Sequence, residues 1–508
     1  MSKNLQAHLQ TYFGYGAFRP GQEEIIRSVL AGENVLGVLA TGGGKSVTYQ
    51  LPALLLPGIT VVVSPLISLM MDQVQQMRAQ RRIPSTYLNS LLDPTDMREV
   101  IREIECGIHK LVYISPEKLQ QSYIQALLRK AGVSLIAIDE AHCISQWGHD
   151  FRTDYLRLPE AIRALGNPPV LAVTATATTA VRKEICDLLE IKPEHVITQS
   201  LNRKNIAIEV IPVPDETERR TQVLRQMDEL KGQGIVYCST RQAVEVLTAS
   251  YQLVGKRKVH AYHGGMNSME RMLIQQQFLS GELDMIVATN AFGMGIDKPD
   301  IRFVIHYQLP ASMEAYVQEI GRVGRDGEAG YAVLYYTWED VQIHQYMMER
   351  EYPTRRQIEQ LAALLRQQKT PTPEMLASIE MTQEMADLLL FYAERVSASY
   401  RDEAAATLEP GMELLHHPDQ VYEELEKRKL LKQQKLMEMI RFVQERENCL
   451  RKSINGYFGE TEHESTLQCC SVCGISRTLY KESSPTASVG RKEVNWDLRQ
   501  ILSVLLPK

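Results

Sequence analysis

Three short stretches combine residue types whose spacing could do chemistry. The first is "ATGGGKSVTY", residues 40–49, which follows the apolar run "NVLGVL". Thr41, Gly42, Gly43 and Gly44 form a loop whose backbone N–H groups can close around phosphate oxygens; Lys45 adds a point charge and Ser46 a hydroxyl able to ligate Mg²⁺. The strict phosphate-loop pattern wants glycine where Leu39 stands. The alternative is a glycine-rich turn before a chance Lys-Ser, but the strand–loop–helix context is what the mechanism requires.

The second stretch is "LIAIDEAHCISQWGHDFR", residues 135–152. Asp139 can hold a Mg²⁺ shell, and Glu140 beside it can orient or deprotonate a water. Adjacent acids alone usually end a solvated loop. With a phosphate loop upstream in the same α/β unit, the catalytic reading is the stronger. The third stretch, "QEIGRVGRDG" at 318–327, places Arg322 and Arg325 three positions apart, which on a helix is one face. A guanidinium reaching a γ-phosphate from a second domain would make hydrolysis depend on closure.

A fourth group is Cys449, Cys469, Cys470 and Cys473, spaced C-x19-C-C-x2-C. Four thiolates from two blocks make a closed tetrahedral Zn²⁺ site. The vicinal Cys469-Cys470 pair departs from plain C-x2-C spacing, so Cys469 is the least secure ligand. Four further cysteines are scattered, as expected of reduced thiols in an intracellular protein.

The elements that must position these residues follow from patterning. The chain has 508 residues, too many for one core. "NVLGVLA", "TVVVSP", "KLVYISP", "SLIAIDE" and "VLAVTAT" are β-branched runs separated by amphipathic stretches, the pattern of a parallel sheet covered on both faces. It recurs in "NIAIEVI", "GIVYCS", "KVHAYHG", "DMIVATN", "RFVIHY" and "AVLYYT". The expected division is an α/β unit at 1–202, a second at 203–343, a helical zinc-binding domain at 344–475 and a tail at 476–508. Lys427, Arg428, Lys429, Lys432 and Lys435 read as a solvated helix face, or else as a track for a nucleic-acid backbone. A net charge of −6 advertises no global attraction to nucleic acid, though a local basic groove suffices. No run approaches the roughly 18 apolar residues of a membrane span, and "MSKNLQAHLQTYFGYG" lacks a secretory core.

Together the motifs resemble the tandem RecA-like core of superfamily 2 helicases. "FGYGAFRPGQEEII", "SPLISLMMDQV", "YISPEKL", "DEAHCISQWGHDFR", "TATAT", "YCSTR", "ATNAFGMGIDKPDIRFVIHY" and "QEIGRVGRDG" follow the order of the RecQ family over about residues 10–340, and "NGYFGE" precedes the last three cysteines as in that family's zinc module. The resemblance implies a DNA helicase using ATP, Mg²⁺ and Zn²⁺, moving 3′ to 5′ in repair or recombination. It implies adenine contacts from Tyr15, Phe18, Arg19 and Gln22. It also implies an aromatic-rich loop that senses single-stranded DNA, with Ser145, Gln146, Trp147, His149, Phe151 and Arg152. The alternative for Trp147 and Phe151 is core packing, but Gly148, His149, Asp150 and Arg152 are poor core company. Thr174 and Thr176, with Thr289, Phe292, Gly293, Asp297 and Lys298, would couple nucleotide state to DNA. Only 35 residues follow Cys473, too few for a winged helix, so the short RecS-like form is expected. Val323 stands where the family usually has Ala, and Lys204 where it often has Pro. The expected partners are single-stranded and partly duplex DNA, with single-strand-binding or replication-fork proteins. A monomer in the cytoplasm, associated with the nucleoid, completes the expectation. An RNA helicase on the same core, or a decayed ATPase serving as a scaffold, are the rivals.

Overall fold

The computed structural model describes residues 4–65, 67–81, 83–89, 92–145, 153–293, 298–365, 371–400, 417–460 and 468–482. The first α/β unit contains seven strands: β1 (Val35–Val38), β2 (Ile59–Val63), β3 (Ser85–Leu88), β4 (Leu111–Ile114), β5 (Val133–Ile138), β6 (Val170–Thr174) and β7 (Val196–Thr198). They pair in parallel in the order β3-β4-β2-β5-β6-β1-β7. Alternate residues of the central strands feed two cores. Val61, Ile136 and Ile138 face one, and Val62, Leu135 and Ala137 face the other. That explains why these strands read as unbroken apolar runs.

The second unit repeats the plan with β8 (Ile206–Pro212), β9 (Gln233–Tyr237), β10 (Val259–Tyr262), β11 (Met285–Ala288), β12 (Ile301–His306) and β13 (Gly330–Tyr336). The parallel order is β10-β11-β9-β12-β13-β8, which leaves β8 at an edge. That edge is covered by the cysteine segment. Ile208 N donates to Cys469 O (3.2 Å) and Ser471 N donates to Ile208 O (2.9 Å). Covering an edge strand removes a template for unwanted pairing.

The helical part begins earlier than the sequence suggests: residue 344 falls inside the helix Glu339–Glu351. Its spine is the helix Pro418–Gln444, which packs on Glu339–Glu351, on Arg355–Leu365 and on Met313–Ile320 of the second unit. Residues 476–482 are not a free tail. Arg477 pairs with Glu209, Lys481 Nζ lies 2.6 Å from Glu229 Oε2, and Lys231 N donates to Tyr480 O (2.9 Å).

Candidate active site and metal centre

The adjacent strands β5, β6 and β1 deliver their carboxyl ends to one crevice, where ligands bind in open α/β sheets. Residues 41–46 leave β1 and feed the helix Val47–Leu55. Gly42 and Gly44 have φ of +80° and +75°. A Cβ on Gly43 would lie 2.8 Å from Ala40 O, so this backbone requires glycine there.

Asp139 and Glu140 leave β5 on the same crevice. Glu140 is buried and left-handed (φ +48°), a costly conformation for a non-glycine residue and one that clusters at functional sites. Lys45 Nζ lies 3.2 Å from Glu140 Oε1. The carboxyl of Asp139 is pushed up to about 6, first by burial and then by the charge of Glu140, with Lys45 opposing. A dication at this point would reverse that balance. His142 Nδ1 lies 2.9 Å from Thr174 Oγ1 and 3.4 Å from Glu140 Oε2, which ties the acids to the end of β6. Thr176 N donates to Thr174 Oγ1 (3.3 Å), and Ser145 Oγ donates to Glu184 Oε2 (2.5 Å).

The cleft has a volume of about 720 Å³, and both α/β units line it. Tyr15, Arg19, Gln22, the phosphate loop, Asp139 and Glu140 come from the first; Gln318, Arg322 and Arg325 come from the second. Phe18 packs instead on the apolar cluster of Leu5, Leu9, Ile26, Val47 and Leu51 beneath the loop. Gln22 is engaged at both ends of its amide. Oε1 accepts from Arg19 N (2.9 Å), and Nε2 donates to the carbonyls of Gly43 (3.1 Å) and Gly44 (2.9 Å).

The two arginines do not share a helix face. The helix Met313–Ile320 ends before them, and Gly324, at φ +56°, turns the chain between them. Arg322 is buried and donates to Gly293 O, while the Arg325 side chain lies against Gly42. Thr289 is buried within the second unit, and Phe292 packs edge-on to Tyr262 at 4.7 Å between centroids. Lys298 pairs with Asp300 at 3.0 Å. Gln146, Trp147, His149, Phe151, Arg152 and Asp297 lie outside the described residues.

The sequence reading missed Arg203, which donates to the backbone carbonyl of Thr41 in the cleft wall, and Arg451, which holds the linker carrying Arg203 through the carbonyl of Arg203 itself. Nothing in "LNRKNI" or "CLRKSI" marks them, because carbonyl partners leave no trace in sequence. The basic-face reading of the long helix needs correcting at two positions. Arg428 is buried with Nε donating to Tyr352 OH (3.1 Å), and Lys435 is bound to the buried Glu314 at 2.7 Å. Lys432 pairs with Glu351, and Lys427 with Glu424 at 2.7 Å.

The sulfurs of Cys449, Cys469, Cys470 and Cys473 all lie within 4.8 Å of one another. Tetrahedral Zn–S bonds of about 2.3 Å set sulfurs about 3.8 Å apart, so all four residues fit one zinc ion. Cys469, the doubtful ligand in sequence, sits 3.5 Å from the Cys449 sulfur.

Two tandem RecA-like sheets around a shared phosphate-loop cleft define the helicase class of ATPases. The DEAD/DEAH box helicase family matches residues 19–185, the helicase conserved C-terminal domain 218–327 and the RecQ zinc-binding domain 412–474. The chain is 38% identical over 504 residues to the probable ATP-dependent DNA helicase RecS of Bacillus subtilis, covering 98% of each. It is 42% identical over 355 residues to the ATP-dependent DNA helicase RecQ of Pasteurella multocida, covering 70% of this chain and 55% of that one. Among solved structures, the Mycobacterium smegmatis helicase Lhr shares the fold with a TM-score of 0.55 at 18% identity, over 77% of this chain and 57% of Lhr. Mss116p does so with a TM-score of 0.55 at 16% identity, over 86% and 89%. The chain belongs to the RecQ family of ATP-dependent DNA helicases. No helix among the described residues is long and apolar enough to cross a membrane.

Proposed function

We propose that the protein is an ATP-driven motor that travels 3′ to 5′ on single-stranded DNA, separates duplexes and serves repair or recombination at the nucleoid. The observation that carries this is the single cleft in which the phosphate loop, both acids and Arg325 meet from two separate sheets. Lys45 and the loop N–H groups bind the terminal phosphates. Ser46 and Asp139 would hold Mg²⁺, which would supply positive charge to offset that developing on the phosphates. Lys45 rests on Glu140 at 3.2 Å, so arrival of phosphate draws the ammonium away and frees the carboxylate for water. Arg325, with Arg322, stabilises the charge of the transferring group. Tyr15 and Arg19 flank the adenine, and Gln22 exchanges a loop carbonyl for the base edge. The segment Ser145–Arg152 runs on from the acids and senses DNA by stacking and phosphate contact.

The test is unwinding of duplexes with a 3′ or a 5′ single-stranded extension, with Lys45→Ala as control. Unwinding of the 3′-extended duplex alone, abolished by Lys45→Ala, is expected. Unwinding from the 5′ extension, or by the variant, would overturn the polarity or the phosphate-loop assignment respectively.

A further inference from the structure

One side chain outside the cleft lining bridges its two walls. Arg203 lies in the linker between β7 and β8. Its Nη1 donates to Thr41 O (2.8 Å), the residue that opens the phosphate loop, and to Gly321 O (3.2 Å). Its Nη2 donates to Val323 O (2.9 Å) and Gly324 O (2.6 Å). Those three carbonyls flank Arg322 and begin the turn that carries Arg325. Asn205 grips the same turn, with Nδ2 donating to Gly324 O and Glu328 O, both at 2.8 Å. The backbone of this linker is itself held from the zinc module. Arg451 is almost fully buried on the helix Leu450–Tyr457, beside Cys449. It donates to Asn202 Oδ1 and Arg203 O (both 2.8 Å), to Ile206 O (2.5 Å) and to Cys469 O (3.5 Å). Glu460 adds bonds to Ser200 Oγ (2.6 Å) and Leu201 N (2.7 Å).

A planar guanidinium with donors on two terminal nitrogens suits this task; an ammonium has three donors on one nitrogen and cannot serve all four carbonyls. We propose that Arg203 is a positioning residue for hydrolysis, setting Arg325 against the phosphate loop, with Arg451 fixing the backbone of the linker that carries it. The proposal rests on the ATPase reading above. Arg203 touches Thr41 and the arginine turn and does not line the nucleotide cleft, so it acts through Arg325.

The experiment is a kinetic cycle on the full-length protein with saturating single-stranded DNA: wild type, Arg203→Lys, Arg325→Ala and the double variant. A misplacement of about 1 Å costs about 100-fold in rate. We expect Arg203→Lys to lower kcat about 10- to 100-fold, to change KM for ATP less than about threefold, and to leave one zinc per chain. Arg203→Lys should cost no more than about twofold further when Arg325 is already alanine. Asn205→Ala, a milder change at the same turn, should give the same pattern at smaller size and guards against misfolding of the lysine variant. Multiplying effects of Arg203→Lys and Arg325→Ala, or a loss confined to KM, would overturn the proposal. A wild type without DNA-stimulated hydrolysis would instead remove the ATPase reading, and this inference with it.

Discussion

Replacing Lys435 with methionine should loosen the helical arm and leave the salt dependence of DNA binding unchanged. The Lys435 ammonium lies 2.7 Å from Glu314 Oε1, and the two side chains are 14% and 2% exposed. Removing it leaves a carboxylate buried between the long helix and Met313–Ile320. Breaking a buried pair from one side costs about 3–5 kcal/mol; the remaining exposure of Lys435 places the cost at the lower end, about 3 kcal/mol. Since about 1.4 kcal/mol is tenfold, amides of the helix Pro418–Gln444 that exchange by detachment of the arm should exchange about 100-fold faster. The double change Glu314→Gln with Lys435→Met should recover most of the loss, because no buried charge remains. A lysine on a DNA track behaves otherwise: losing one phosphate contact flattens the slope of log K against log salt by about 0.7 on a single strand. A flattened slope with unchanged exchange would refute the structural assignment of Lys435.

Two further outcomes follow. Asp72 accepts a hydrogen bond from Gln275 of the second unit (2.7 Å), and burial pushes its carboxyl from 3.8 up to about 6. A carboxyl raised in the docked state takes up a proton on docking. Contact between the units is therefore weakest above about pH 6, strengthens as pH falls through that value, and gains nothing further below about pH 4. Asp72→Asn should hold the domains together at pH 7 and flatten the profile from pH 4 to 8, read by dyes on the two units; an unchanged profile would remove Asp72 from the contact. Metal analysis should find about one zinc per chain, and chelation should raise exchange at β8, whose edge the cysteine segment covers. Unchanged protection of β8 after zinc loss would separate the metal from that edge.

Much of this architecture is legible in sequence for a physical reason. A parallel strand buried on both faces must be apolar throughout, and the eleven runs quoted for it all became strands. β3 and β7 went unread because they are edge strands, short and polar in part, as in "STYL" and "VIT". The cleft residues were legible where chemistry restricts the residue type, as at Gly43, Lys45 and the acids. The arginine turn was misplaced onto a helix because three-residue spacing suits a helix face and a turn alike; Gly324 between them was the available signal. Arg203, Arg451 and Glu314 were illegible, since their partners are carbonyls or side chains more than a hundred residues away.

The central claim is that one cleft couples ATP hydrolysis to DNA. Its most direct test is steady-state ATP hydrolysis by wild type and Glu140→Gln, with no nucleic acid, with single-stranded DNA and with single-stranded RNA. Glu140 is the proposed base, and losing a general base costs about 10²- to 10⁴-fold. Strong stimulation by DNA alone, lost in Glu140→Gln while nucleotide binding persists, is expected. Equal stimulation by RNA, or a variant that hydrolyses ATP at the wild-type rate, would contradict the claim.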